Sequence, residues 1–375
     1  MLFPSYAELK NRRTLKWTRY PDDVIPLWVA ESDFSTCPAI TEALARAVEH
    51  ESFGYPPDNA GIAAATAQFY QDHYGYPARP EWIFPVPDVV RALCIAIEHF
   101  TRKDSTVIIP VPAYPPFFQL LSTTNREGVF LDARDGIDLA EVEAAFQQGA
   151  GAIVLCNPFN PLGFVFKQDY LIKLCDLAAR YDARVLVDEI HAPLVYEGTH
   201  IVAAGVSDTA ARVCITATAT SKAWNTAGLK CAQLIFSNAE DVRTWNALSP
   251  IVKDGVSTFG LIAAEAAYTH GREFLAEELA YLDANRRFLV EELPRRFPGI
   301  KLCAPAATYL LWLDFSDTVV PGNPSEFFLE KAKVMLNDGE WFGELGKNCV
   351  RLNFATSREI LDRALSRMEE AVQAL

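Results

Sequence analysis

The chain has 375 residues, 50% of them hydrophobic and 22% charged, with a formal net charge of -14. That length exceeds what one core usually supports, the composition is globular rather than disordered, and the acidity argues against nucleic-acid and anionic-membrane partners. No run approaches the ~18–20 apolar residues of a membrane span, and MLFPSYAELKNRR shows no positive segment followed by a long apolar stretch, so a soluble, cytoplasmic protein is expected.

In chain order, the first predicted elements are helices at 39–50 and 60–74, flanking the turn-like FGYPPDNAG. From 105 onward, short β-branched runs alternate with helical patterns. STVII (105–109), GAIVLC (151–156), ARVLVD (183–188), RVCITA (212–217) and CAQLIF (231–236) are apolar on both faces, as central strands of a parallel sheet are. Between them, 167–181 sets Leu171, Leu174, Cys175 and Ala178 on one helical face. A long charged helix follows at 272–296, then strands near 309–315 and 349–354. A last helix from 357 carries the stripe Leu361, Leu365, Met368, Val372 and Leu375. The pattern predicts an α/β fold: a mainly parallel central sheet flanked by helices, with a smaller α+β domain built from both termini. The expected division is 1–46 and 276–375 for the small domain and 47–275 for the large one. Cys37, Cys94, Cys156, Cys175, Cys214, Cys231, Cys303 and Cys349 form no C-x-x-C pair, and several sit in apolar runs, so reduced, buried thiols are expected.

Candidate chemistry gathers where these strands end. Asp188 closes ARVLVD, and open parallel sheets bind ligands beyond the carboxyl ends of their strands. A carboxylate there needs a cation, unless it is a loop or helix cap. DEIHAP also raises a metal site through Asp188, Glu189, His191 and His200, but the spacing fits no common ligand pattern, and no metal is expected. Lys222 follows RVCITA in the small-residue stretch TATATSKAWNTAGLK. Taken alone it reads as an ordinary loop lysine; beside Asp188 it could be a desolvated amine suited to Schiff-base chemistry. The two Asn-Pro pairs of CNPFNPLGF make a turned loop that could aim Asn160 inward, or serve only as a strand-to-helix turn. After Pro87, free amides at 88–90 could receive a phosphate at a helix N-terminus. Tyr114, in VPAYPPFF, could stack on a flat cofactor or pack in the core.

Asp188, Lys222 and the Asn-Pro loop, in this order, resemble the fold-type-I pyridoxal-phosphate enzymes of the class I/II aminotransferase superfamily. More narrowly, WVAESDF (28–34), FGYPPD (53–58), AYPPFF, VDEIHAPLVYEG (187–198), SKAWNTAGLK (221–230) and VRLNFA (350–355) are similar to the MalY/PatB-type cystathionine β-lyase branch. The resemblance implies that Lys222 carries pyridoxal 5'-phosphate, that Asp188 pairs with its pyridine nitrogen, that Asn160 bonds its ring oxygen and that Tyr114 stacks on the ring. Ser221, Lys230 and the amides of Val89 and Val90 would hold the phosphate, with Tyr55 reaching it from a neighbouring subunit. Arg351 would bind the substrate α-carboxylate, with Asn160 and the Ala30 backbone beside it. His191 would contact the ring or be a structural histidine. Asp88 departs from the pattern where glycine is expected, so its carboxylate must point away or pair; Ala219 lacks a hydroxyl common among relatives. The implied function is elimination of a thiol from cystathionine or another S-substituted cysteine in a homodimer. An aminotransferase on the same site is the alternative, and a regulatory protein on this fold a third reading.

Overall fold

Residues 3–375 are described by a computed structural model; residues 1 and 2, which open the N-terminal segment read above, lie outside the described residues. Among the described residues, twelve strands form two sheets: β1 Ile25–Leu27, β2 Ile83–Val86, β3 Thr106–Val111, β4 Gly128–Asp132, β5 Ala150–Cys156, β6 Arg184–Asp188, β7 Cys214–Thr218, β8 Ala232–Phe236, β9 Lys301–Leu302, β10 Leu310–Asp314, β11 Val334–Asp338 and β12 Cys349–Asn353. The large sheet has the order β2-β8-β7-β6-β5-β3-β4. Its strands from β3 to β7 are parallel, and every residue of β5, β7 and β8 is buried, because helices cover both faces. The predicted helix at 167–181 is Gln168–Arg180, with Leu171, Leu174, Cys175 and Ala178 inward.

One expected strand direction is corrected. CAQLIF does give β8, but β8 runs antiparallel to β7 and to β2. An apolar pattern on both faces reports that both faces are covered; it carries no information on direction. Two strands at the sheet's edges, β2 and β4, escaped the sequence reading. The first holds Pro85, and the second is only partly buried, as edge strands often are.

The small sheet has the order β1-β11-β12-β10-β9, so the two ends of the chain share one sheet, with β1 parallel to β11. The helix Arg272–Arg296 buries Leu275, Leu282 and Leu289 at seven-residue spacing. The final helix is Arg358–Gln373; Leu361, Leu365 and Met368 are buried, but Leu375 lies past its end and is exposed, so the stripe stops short of the terminus. Seven cysteines are buried and all eight are free thiols; Cys303 is exposed, against the expectation of burial. Among the described residues, no helix is long and apolar enough to cross a membrane.

An ion pair fixes how the N-terminus meets the small sheet. Lys16 Nζ donates to Asp33 Oδ2 at 2.8 Å with both side chains almost wholly buried, and Trp17 Nε1 donates to Asp33 Oδ1 at 2.8 Å. Lys16 Nζ also reaches the Glu31 carbonyl at 3.1 Å. Removing one partner leaves a buried charge uncompensated. Lys16→Met is therefore expected to destabilise the protein by about 3–5 kcal/mol, as measured by denaturant unfolding; a change below about 1 kcal/mol, the range of an exposed pair, would contradict this account.

Candidate active site

Strand order in the large sheet reverses at β3, with β4 on one side and β5, β6 and β7 following on the other. Loops leaving such a point diverge and open a crevice at the carboxyl edge. Tyr114 emerges there after β3, Asn160 after β5 and Lys222 after β7, while Asp188 is the last residue of β6. They converge on a cavity of about 370 Å³, lined also by Ala30, Asp88, Val89, Val90, His191, Ser221 and Lys230.

The loop after β5 is held close to the small lobe. Both of its Asn-Pro bonds are cis, and Gly163 has a φ of +74°. A Cβ on Gly163 would meet Pro305 at 2.3 Å, and the Gly163 carbonyl accepts from the Ala307 amide at 3.0 Å. Only glycine permits both the conformation and the approach. The result turns Asn160 toward Arg351, whose Nη1 donates to Asn160 Oδ1 at 2.9 Å.

Arg351 lies behind Asn160, on β12. Its Nη2 donates to Asn337 Oδ1 at 2.6 Å and to the Trp28 carbonyl at 3.4 Å, and the guanidinium lies 4.8 Å from the centre of the Phe342 ring. All these acceptors are neutral, and among the described residues Nε has no hydrogen-bond partner. Burial, opposed by Tyr114 and Tyr309, lowers its pKa to about 10. The guanidinium is thus oriented but not neutralised.

Lys222 Nζ donates to the Ala30 carbonyl at 2.9 Å. Burial and then the Arg351 charge bring its pKa down to about 8, against the opposing pull of Glu31 and Asp188. Asp188 Oδ1 accepts from the Ile190 amide at 2.9 Å. Burial raises its carboxyl to about 7, although that hydrogen bond and Lys222 act in the other direction. Among the described residues, none of Asp188, Lys222 and Arg351 makes an ion pair. His191 is buried and, among the described residues, its Nδ1 has no partner; burial, Lys222 and Arg351 hold it well below the usual imidazole range.

Asp88, the departure from the expected glycine, both pairs and caps. Its Oδ1 accepts from the Arg91 amide at 2.8 Å as N-cap of helix Val89–Phe100, and its Oδ2 accepts from Lys230 Nζ at 2.9 Å. Ala219 is buried and lines no part of the cavity. Tyr55 is fully exposed and away from this cavity; the resemblance assigns it to a neighbouring subunit's site.

Sequence reading missed Tyr309, Asn337, Asn353 and Asn225. Tyr309 Oη donates to the same Ala30 carbonyl at 2.9 Å. Asn353 Nδ2 donates to the Val29 and Glu31 carbonyls at 2.7 and 2.8 Å. Asn225 takes Ser32 from both sides, accepting from its amide at 3.1 Å and donating to its carbonyl at 2.9 Å. For Asn353 a signal existed: in VRLNFA it stands two residues from Arg351, on the same face of a strand. Asn337 had none, because its place opposite Arg351 comes from the pairing of β11 with β12.

The profile of the family described as Aminotransferase class I and II matches residues 22–368. The cystathionine beta-lyase of Corynebacterium glutamicum is 58% identical over 368 residues, covering 98% of this chain and 99% of that one. Cystathionine beta-lyase PatB of Bacillus subtilis is 32% identical over 386 residues, covering 99% and 100%. A crystal structure from Corynebacterium diphtheriae, provisionally described as a PLP-dependent beta-cystathionase, superposes with a TM-score of 0.98 at 64% identity and covers 100% of this chain and 99% of that one. Cystalysin from Treponema denticola, whose crystal structure contains pyridoxal 5'-phosphate, gives 0.91 at 27% identity, with full coverage of both chains.

The raised Asp188 carboxyl has a consequence for the ligand-free protein. The folded chain holds this proton more tightly than the unfolded chain between the ordinary carboxylate value of 3.8 and about 7, so Asp188 lowers stability as pH rises through that window. Asp188→Asn is expected to stabilise the ligand-free protein at pH 8 by on the order of 2–4 kcal/mol, and by almost nothing at pH 4. Urea unfolding at the two pH values measures the difference; equal effects at both would refute it.

Proposed function

The chain belongs to the class I and II aminotransferase family, and from that premise we propose that it is a pyridoxal-phosphate-dependent carbon–sulfur β-lyase. With one water it splits cystathionine, or a related S-substituted cysteine, into a thiol (homocysteine from cystathionine), pyruvate and ammonia. The observation that carries this reading is the convergence of Asp188 and Lys222 on one crevice, with Arg351 hydrogen-bonded behind Asn160, and none of the three in an ion pair among the described residues.

These residues fit the cofactor. A buried carboxylate without a cation suits a protonated pyridine nitrogen, and an amine brought down to about 8 suits a covalent bond to an aldehyde. Among the described residues the amides of Val89 and Val90, at the start of a twelve-residue helix, donate no hydrogen bond, and with Ser221 and Lys230 they would hold the phosphate. Tyr114 would lie against the ring, with Asn160 and His191 at its edge. When bound, pyridoxal phosphate supplies an electron sink for the charge left at the substrate α-carbon.

The protein's own contribution is orientation and proton transfer. Arg351 binds the α-carboxylate through the guanidinium that neutral acceptors leave charged. Lys222 Nζ, once free of the cofactor, takes the α-proton; its lowered pKa leaves a large neutral fraction near pH 8. The Ala30 carbonyl, which accepts from Nζ, sets where that amine rests. We further propose a cytoplasmic homodimer with lobes divided after residues 46 and 275, in which Tyr55 reaches the neighbouring subunit's phosphate; the full exposure of the Tyr55 ring supports that last role alone.

Purified holoenzyme is expected to release pyruvate from L-cystathionine with no keto acid added. Amino transfer to a keto acid without pyruvate would instead identify an aminotransferase. Lys222→Ala is expected to abolish turnover; a wild-type rate would remove Lys222 from its role. Arg351→Ala is expected to raise KM about 10- to 150-fold, the equivalent of about 1.5–3 kcal/mol for a charged hydrogen bond, and an unchanged KM would argue against the carboxylate assignment.

A further inference from the structure

The Ala30 carbonyl accepts two hydrogen bonds, one from Lys222 Nζ and one from Tyr309 Oη, each at 2.9 Å. The two donors differ in kind. Lys222 Nζ is a reacting atom: bonded to an aldehyde carbon it keeps one proton at most, and as a free amine it must turn its lone pair on a proton. It cannot serve the carbonyl alike at every stage. Tyr309 Oη can, because burial above all keeps this wholly buried phenol well above its ordinary range, so it remains a donor. Ala30 is itself buried and lines the crevice, and a buried carbonyl left without a donor is unfavourable.

A strained backbone and several fixed contacts bring Tyr309 to this point. Thr308, just before it, has a φ of +71°, a left-handed conformation that β-branched residues rarely adopt. Both polar groups of the Thr308 backbone are held by the segment that follows β6: the amide donates to the Leu194 carbonyl at 2.8 Å, and the carbonyl accepts from Tyr196 Oη at 2.6 Å. The Tyr309 carbonyl accepts from the Phe354 amide at 2.9 Å, and its ring meets that of His191 edge-on, with centroids 6.2 Å apart. A strained residue persists where the surrounding structure over-determines it, and such positions cluster at functional sites.

We propose that Tyr309 is a positioning residue for removal of the substrate α-proton: its hydroxyl keeps the Ala30 carbonyl in one place, so that Lys222 Nζ, released from the cofactor, settles at a fixed point near the α-carbon. This rests on the β-lyase reading and adds a residue to it. Tyr309 lies outside the cavity lining, and it neither gives nor takes a proton. The Cα–H bond breaks, an N–H bond forms at Nζ, and the electron pair stays with the α-carbon and the bound cofactor. Displacing a reacting group by about 1 Å can cost about a hundredfold in rate.

The test uses wild-type holoenzyme, Tyr309→Phe, and protein with 3-fluorotyrosine in place of Tyr309, each given L-cystathionine and its α-deuterated form. Tyr309→Phe is expected to lower kcat about 10- to 100-fold with KM little changed, and to show a primary isotope effect no smaller than that of wild type. The 3-fluorotyrosine protein, which keeps the hydroxyl, is expected to keep most of the wild-type kcat. An unchanged kcat in Tyr309→Phe, a loss confined to KM, or a slowed reaction without the isotope effect would overturn the proposal. An equal loss with 3-fluorotyrosine would place the effect in packing, and a Tyr309→Phe protein that no longer holds pyridoxal phosphate would place it in the fold; either result also overturns it. All of these leave the β-lyase reading intact, whereas absence of pyruvate with wild-type enzyme overturns both.

Discussion

The backbone from Trp28 to Asp33 has no regular secondary structure, yet side chains from distant parts of the chain hold it almost atom by atom. Arg351 takes the Trp28 carbonyl, Asn353 those of Val29 and Glu31, Lys222 and Tyr309 that of Ala30, and Asn225 both polar groups of Ser32. The Lys16–Asp33 pair closes one end of this segment. Buried backbone groups outside helices and sheets must find such partners or pay a desolvation penalty. Satisfying them here ties three regions into one unit: the N-terminus, the turn that carries Lys222, and the strand that carries Arg351. The crevice exists in its observed shape because this segment is fixed.

The same constraint governs the charges. The Arg351 charge adds to what burial already does in lowering the preference of Lys222 for its charged form, and both cations act in the same way on His191. Arg351 stays in place through amide and carbonyl oxygens, which give direction without neutralisation. Lys222 likewise rests on a carbonyl rather than a carboxylate. A site built with carboxylates at those points would be more stable when empty and less able to meet a carboxylate or an aldehyde. The cost falls on the ligand-free fold, which carries three incompletely compensated groups.

Much of this was legible in the sequence, because the chemistry sits where local pattern changes. Asp188 ends an apolar run, Asn160 lies between two Asn-Pro pairs, and Lys222 follows a strand into small residues; each is a local signal tied to the parallel α/β plan. What stayed hidden depends on pairing between distant segments. The antiparallel direction of β8 leaves no trace in CAQLIF, and neither the three-residue β1 nor β11 announces that the termini share a sheet, because that follows only from their pairing. Asn337 becomes a ligand of Arg351 only through the register of two strands, and Tyr309 becomes a partner of Ala30 across 279 positions of sequence. Asp88 read as a conflict with phosphate; its double engagement as helix cap and ion-pair partner depends on a lysine 142 positions away.

That ion pair alters how an anion would enter. Lys230 Nζ is not a bare cation waiting at the helix N-terminus, because Asp88 already occupies one of its hydrogen bonds. A phosphate reaching Lys230 would carry out counterion exchange, releasing a carboxylate as it bound. The net attraction is then a difference between two partners, and for side chains this exposed the outgoing partner is weakened by dissolved ions as well. The freed Asp88 would still face the incoming anion from the helix cap. For a phosphate bound there, affinity at this end of the crevice would be moderated, and its release would be eased by the return of Asp88 to its lysine.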